Sequence, residues 1–233
     1  MKKLVVLFFT TFVFCASCSF LENNSANSKI YLDPNRITIK CEKCQVGDKG
    51  KVDGIEYEVV DNDLLRARIK QKVDITKLCT SLVTDMGTDN DEGLFGRDFN
   101  QRLEHWDVSN VVNMKWMFIN SSFNQPIGNW DVGKVKNMQG IFKNTSFNQP
   151  IGNWDVGNVV DMSWMFNNTS FNQSLTNWNV SKVLNMEFMF YESKFNQNIS
   201  KWCVSTIKSE PNFFSSNAPL TSANKPAWGT CPK

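Results

Sequence analysis

Histidine is almost missing from this chain: His105 is the single one in 233 residues. That removes most histidine-based triads and all multi-histidine metal clusters. His105 also falls where other copies of a repeat hold Asn129, Asn153, Asn177 and Lys201, so it is a variant of a structural position. No Gly-rich phosphate loop, HExxH or GxSxG is present. A charge excess is lacking too: 25 Lys and Arg face 23 Asp and Glu, a net +2 with no basic face, which argues against nucleic-acid binding. Long apolar runs are missing. The N-terminal one, Leu4 to Phe14, is eleven residues, too short to span a bilayer comfortably. Tyrosine is scarce at 3, against 18 Phe, 8 Trp and 9 Met, so aromatics and methionine carry the packing. The expectation is a chain with no enzyme activity, cofactor or metal.

Lys2 and Lys3 precede the short apolar run, and Ala16 and Ser17 precede Cys18. That order reads as a targeting segment. It resembles the lipobox of bacterial lipoproteins, in which such a cysteine is acylated and becomes the new N-terminus. The usual Leu three residues before that cysteine is Cys15 here. Ordinary signal-peptidase cleavage with free secretion is the alternative. Residues 19–28 (SFLENNSANS) are polar and low in complexity, suited to a tether.

Self-similarity decides the fold expectation. Trp106, Trp130, Trp154, Trp178 and Trp202 recur every 24 residues, as do Phe99, Phe123, Phe147, Phe171 and Phe195. Met114, Met138, Met162 and Met186 keep the step, followed by Met117-Phe118, Ile141-Phe142, Met165-Phe166, Met189-Phe190 and finally Phe213-Phe214. Ile127, Trp130 and Val132 predict a short strand. Val135, Met138, Ile141 and Phe142 recur at steps of three and four, which predicts one face of a helix. Ser109 and Ser181 are placed to cap that helix, with Gly133 and Gly157 in the same slot. The fold class expected is therefore an α/β repeat solenoid of leucine-rich-repeat type, one short strand and one short helix per 24-residue coil. Val83-Thr84-Asp85-Met86 echoes the unit and begins it. Trp202-Cys203-Val204 opens a fifth Trp turn, which Pro211 is expected to end early. Recurrent Asn (124, 148, 172, 196 and 129, 153, 177) and Asp107, Asp131 and Asp155 are expected to hold turns. The acidic insertion Asp85 to Gly93 lacks the EF-hand glutamate and is expected to be solvated.

Residues 29–76 differ in composition and predict a small α+β cap. Lys51 to Val60 alternates around Asp53-Gly54, a hairpin signal, and residues 64–73 carry a helical pattern. An exported chain makes cysteines disulfide candidates. Cys203 and Cys231 flank the C-terminal segment and are expected to pair. Cys79 is expected to pair with Cys41 or Cys44. The C-E-K-C spacing lacks a second ligand pair for zinc.

These repeats, with their W-D-V, N-M and M-F pieces, resemble the BspA-family leucine-rich-repeat surface proteins, in a branch described from mycoplasmas. The resemblance covers about residues 77–214. The leader (Cys41, Val46-Gly47-Asp48, Gly54, Tyr57 to Asp61, Cys79) and the ending Trp228 to Pro232 are similar as well. It implies a cell-surface location and, for some members, adhesion. The full expectation is a signal peptide over 1–18, a tether over 19–28, the cap over 29–76, repeats over 77–214 and a C-terminal cap over 215–233. Slots that vary between copies are free to recognise. One holds Trp116, Gly140, Trp164 and Phe188, and another ends at Tyr191. Trp116, Trp164, Phe188 and Tyr191 are the candidate contacts for a protein or glycan of a host, matrix or neighbouring cell, with the chain lipid-anchored in the envelope. The alternatives are that these rings only pack between helices, and that the protein organises the envelope without an external ligand.

Overall fold

The computed structural model describes residues 29–90 and 92–232. The expected signal segment 1–18, Cys18 and the tether 19–28 lie outside the described residues.

The front of the described chain is a small α+β unit. Strand β1 (Lys29–Leu32) pairs antiparallel with β2 (Ile39–Glu42), in the register Leu32 to Ile39. Strands β3 (Lys49–Val52) and β4 (Ile55–Val59) form the expected hairpin. Its two turn residues, Asp53 and Gly54, both take left-handed φ, 49° and 81°. Such turns match the right-handed twist of the flanking strands. Helix α1 (Asn62–Lys70) starts where the Asp61 carboxylate accepts the Leu64 N–H at 2.9 Å. Asp63 in its first turn and Arg68 and Lys70 in its last suit the helix dipole. Strand β5 (Leu78–Cys79) runs parallel to β4, so the sheet reaches past the expected boundary at residue 76. Ile39, Tyr57, Val59 and Cys79 make a small core of their own.

From residue 83 onward the chain is organised by bonds between repeats. Single-residue parallel bridges join Asp85 to Asn113, Asn113 to Asn137, Asn137 to Asp161 and Asp161 to Asn185. The N–H groups of Met114, Trp116, Phe118 and Asn120 donate to the carbonyls of Asn137, Gln139, Ile141 and Lys143, all within 2.9–3.0 Å. The same rail repeats from Met138 and from Met162. The helix expected over 135–142 is therefore not formed. An α-helix needs those same N–H groups for the carbonyl four residues back, and here the neighbouring repeat takes them. The chain instead makes successive turns, as where Met117 N–H returns to Met114 and Ser121 N–H returns to Phe118. Two such turns also place apolar residues three and four apart, which is how they imitate a helical face. Likewise Ser109 and Ser181 cap no helix. Their N–H and hydroxyl groups bond to the side chains of Asp107 and Asn179. Gly133 and Gly157 do the same with Asp131 and Asp155 through N–H alone. The strand expected around Trp130 is also absent, since the bridge falls at Asn137.

Apolar side chains fill the inside continuously from Val60 to Leu220. Phe118, Phe142, Phe166 and Phe190 form one file with centroids 5.6–5.9 Å apart. Phe99, Phe123, Phe147, Phe171 and Phe195 form a second at 6.0–6.1 Å. Within a repeat the two files touch at 3.9–4.1 Å. Each buried indole bonds to the preceding repeat: Trp130 Nε1 to Leu103 O, Trp154 to Ile127 O, Trp178 to Ile151 O and Trp202 to Leu175 O, at 3.0–3.1 Å. Asparagines form a ladder outside. The Asn124, Asn148, Asn172 and Asn196 N–H groups each donate at 2.9 Å to the side-chain oxygen of the Asn one repeat earlier. The expected turn-holding role of these residues is what the geometry describes.

The two ends differ. At the front, Asn62 and Arg66 of α1 occupy the place of a preceding repeat. Asn62 Oδ1 accepts the N–H groups of Thr84 and Asp85 at 2.9 and 3.0 Å, and the Arg66 guanidinium donates to the carbonyls of Asp85 and Gly87. At the back, the tail packs on the last repeat: Trp228 meets Phe214 edge-on at 4.9 Å, and Cys203 and Cys231 are disulfide-bonded as expected. Pro211 does not end the last turn. Phe214 N–H donates to its carbonyl at 3.1 Å, and Phe188 and Phe190 N–H reach Asn212 and Phe214.

Candidate functional site

The variable slots converge on one row. Trp116, Gly140, Trp164, Phe188 and Phe213 all have left-handed φ, 56°, 57°, 61°, 57° and 52°. Each is the third residue of a turn closed by the N–H of the next residue, a position that favours glycine or asparagine. Holding a non-glycine residue there costs roughly 1–2 kcal/mol. Four aromatic residues accept that cost, and only Gly140 avoids it.

The rings are half-buried at Trp116, Trp164 and Phe188, and Phe213 is 55% exposed. Trp164 lies flat on Phe188 at 4.0 Å between centroids, and Phe188 on Phe213 at 4.9 Å. Tyr191 meets Phe188 and Phe213 edge-on, at 5.8 and 6.1 Å. Three of the four sequence-chosen residues, Trp164, Phe188 and Tyr191, are thus brought together. Trp116 stands apart by one repeat, its indole lying over Gly140 in the space where a side chain at 140 would sit. Lysines lie over the two indoles: Lys115 Nζ is 4.9 Å from the Trp116 ring and Lys143 Nζ is 4.2 Å from that of Trp164. The alternative of rings packed between helices is replaced by rings packed on one another along the surface. Beside Tyr191, the Glu192 carboxylate holds the phenol above its ordinary pKa. A surface of aromatic edges with cations on its faces can desolvate and anchor a partner.

Sequence reasoning missed Phe213, which it placed in the terminal Met-Phe pair. The signal was a step of 25 rather than 24 residues from Phe188. A second exposed row escaped notice as well: Val112, Val160 and Leu184 beside the bridges are 38%, 38% and 63% exposed.

The cysteines of the front unit depart from expectation. Cys41, Cys44 and Cys79 are free thiols, and the Cys79 disulfide is not formed. Strands β2 and β5 bring Cys41 and Cys79 together as hydrogen-bonding partners. A hydrogen bond between the two side chains pushes the Cys41 thiol up and holds Cys79 down, and burial pushes Cys44 up. Cys79 Sγ also faces the Ile39 carbonyl at 3.8 Å and the Ser81 hydroxyl at 3.7 Å. Among the described residues no group of three His, Cys, Asp or Glu side chains is arranged to hold a metal ion. His105 Nε2 is buried without a partner, and desolvation lowers the imidazole pKa. In the acidic insertion, Asp85 is met by Arg66 and by Asn113 Nδ2, and Asp89 by Lys115 at 2.6 Å. No helix among the described residues is long and apolar enough to cross a membrane.

Two overlapping stretches, residues 62–169 and 141–228, match the family model described as Mycoplasma protein of unknown function, DUF285. The chain belongs to that family, and the match begins at α1, which carries Asn62 and Arg66. No curated protein and no solved structure matches the chain.

Proposed function

We propose that this protein is a surface recognition module, a short leucine-rich-repeat-like solenoid that binds a protein or glycan through its aromatic row. In this reading it is exported, anchored through an acylated Cys18, and adheres to a host, matrix or neighbouring-cell partner, as the resemblance to BspA-family surface proteins implies. The observation that carries the reading is the placement of Trp116, Trp164, Phe188 and Phe213 at left-handed φ on a half-exposed row. Backbone strain kept at a cluster of exposed positions is a mark of function, since packing alone would select glycine there. Aromatic side chains are the residues that most often anchor interfaces. Catalysis is not part of the proposal.

The test is binding of the purified protein to arrays of host and matrix proteins and glycans. The double variant Trp116→Ala, Trp164→Ala is expected to lose at least about tenfold in affinity, the loss of roughly one interface anchor, while its circular dichroism stays native. Unchanged binding by a folded double variant removes the row from the reading.

A further inference from the structure

We infer that the three thiols of the front unit form a thiol–disulfide exchange site, in which Cys44 takes up a low-molecular-weight disulfide and the oxidation passes through Cys41 to a buried Cys41–Cys79 bond. The site is independent of the aromatic row. Cys41 lies on β2, Cys79 on β5, and Cys44 in the turn that leaves β2. Cys41 is the shared neighbour, its side chain hydrogen-bonded to those of both Cys79 and Cys44. Ser81 fixes the inner pair from a second direction. Its Oγ accepts the Cys41 N–H at 3.1 Å and lies 3.7 Å from Cys79 Sγ. Cys44 Sγ faces the carbonyls of Glu42 and Lys29 at 3.5 and 3.7 Å. Lys43, left-handed at φ 55°, turns the chain between Cys41 and Cys44.

The thiols differ in access. Cys79 is 0% exposed, so an external disulfide does not reach it. Cys41 is half-buried and enclosed by two other thiols, and its hydrogen bond to Cys79 pushes its own titration up. The thiolate is the attacking form, so Cys41 is poorly placed to begin the reaction. Cys44 is half-buried with exposed residues on both sides of it in the chain. The cysteine left over from any pairing of the other two is thus the one that solvent reaches.

Three exchanges carry the oxidation inward. Cys44 sulfur attacks the small disulfide, whose S–S bond breaks, and one small thiol leaves with the Cys44 proton. Cys41 sulfur attacks Cys44 sulfur, and the second small thiol leaves with the Cys41 proton. Cys79 sulfur then attacks Cys41 sulfur, and Cys44 leaves as a thiol carrying the Cys79 proton. The small disulfide has gained two electrons and two protons, and Cys41 and Cys79 have lost them. The last step replaces a buried thiol by an uncharged bond. It also ties together two sheets, β1-β2 and β3-β4-β5, that share no strand pairing. Strand β5 runs directly into Thr80 and Ser81, whose hydroxyls bond to Asp107 of the first full repeat at 3.0 and 2.7 Å. Oxidation therefore fastens the whole front unit to the solenoid.

The probe is oxidised glutathione, added to the full chain with its front thiols reduced. Samples are quenched in acid over time, and each cysteine is followed by peptide mapping, with cleavage at Lys43 separating Cys41 from Cys44. Glutathione is expected on Cys44 first, and to be lost as the Cys41–Cys79 bond accumulates and Cys44 returns to a thiol. Cys44→Ser is expected to form that bond at least about tenfold more slowly, since attack must then start from a covered sulfur. Cys41→Ser is expected to stop with glutathione on Cys44, and Cys79→Ala with a Cys41–Cys44 bond. The time course of the unsubstituted chain decides the matter if the Cys79 variant does not fold. Cys44→Ser oxidised at the wild-type rate, a final bond that includes Cys44, or a wild-type cluster left reduced overturns the proposal.

Discussion

Replacing Trp116 by glycine is expected to leave a more stable protein than replacing it by alanine. The two variants lose the same side chain, including its packing over Gly140 and the Lys115 contact at 4.9 Å. They differ in the backbone. Trp116 sits at φ 56°, where a β-carbon costs roughly 1–2 kcal/mol. Glycine is released from that cost but starts from a freer unfolded chain, a penalty of about 0.5–1 kcal/mol. The balance favours Trp116→Gly by about 0.5–1 kcal/mol, or ~2–4 °C per kcal/mol in Tm for a chain of this size. At an ordinary position the order is reversed, so the sign carries the test. A companion substitution checks the geometry. A β-carbon at Gly140 would lie 2.6 Å from Trp116 Cδ1 and 2.9 Å from Nε1. Gly140→Ala is therefore expected to cost strain plus a clash in the wild type, and strain alone beside Trp116→Gly. The coupling between the two sites should reach about 0.5 kcal/mol or more. Urea melts of the four proteins measure it. Alanine equal to or better than glycine at 116, with no coupling to 140, would refute the argument that the row is held under strain.

Two further outcomes follow from the interior. Trp154→Phe keeps a ring in the core but removes one of the two donors to the Ile127 carbonyl, the indole N–H 3.0 Å away, while the Trp130 N–H remains at 3.1 Å, and the lost bond should cost about 0.5–1.5 kcal/mol by urea denaturation; a cost near zero would mean the indole bond contributes nothing to joining the repeats. His105 is kept neutral by burial, with its pKa below that of the unfolded chain. The unfolded state then binds the proton first, so stability is full above about pH 6.5 and falls as pH drops toward the folded value. His105→Asn, which restores the residue of the following repeats, is expected to flatten that fall between pH 7 and 5, and parallel pH curves for the two proteins would count against it.

What the sequence made legible was the register. The indoles, the methionines and both phenylalanine files, apart from the half-buried Phe99 at the front, are buried where the 24-residue step places them, because a core position in one repeat is a core position in the next. The hairpin at Asp53-Gly54 was legible for a local reason, a dipeptide suited to two left-handed residues. The supposed helix was not, because steps of three and four arise from paired turns as well as from helical winding. What distinguishes them is where the N–H groups go, and that depends on a neighbour 23 residues away. The variable slot was legible as a surface, yet its backbone was not. Aromatic residues argue against left-handed φ by every local preference, and Gly140 was the sole hint. Arg66 lay inside the helical pattern expected over 64–73 and Asn62 just before it, and neither carried a local sign of a further role. Their use as a substitute repeat appears when Thr84, Asp85 and Gly87 are found beside them.

The bonding pattern also explains how such a chain can vary its surface without losing its fold. Main-chain groups hold the repeats together at every second residue, and buried Met, Phe and Trp fill the gaps between them. The side chain at the left-handed slot enters neither set. Glycine at 140 and aromatics at 116 and 164 leave the same rail intact, with N–H donors at 2.8–2.9 Å in Trp116, Gly140 and Trp164 alike. A residue there is constrained only by its own backbone strain. That cost is paid by one residue at a time and does not propagate along the stack. Selection for a partner can therefore set this row, and the limit on how many aromatics it holds is the summed strain against the stability of the interior.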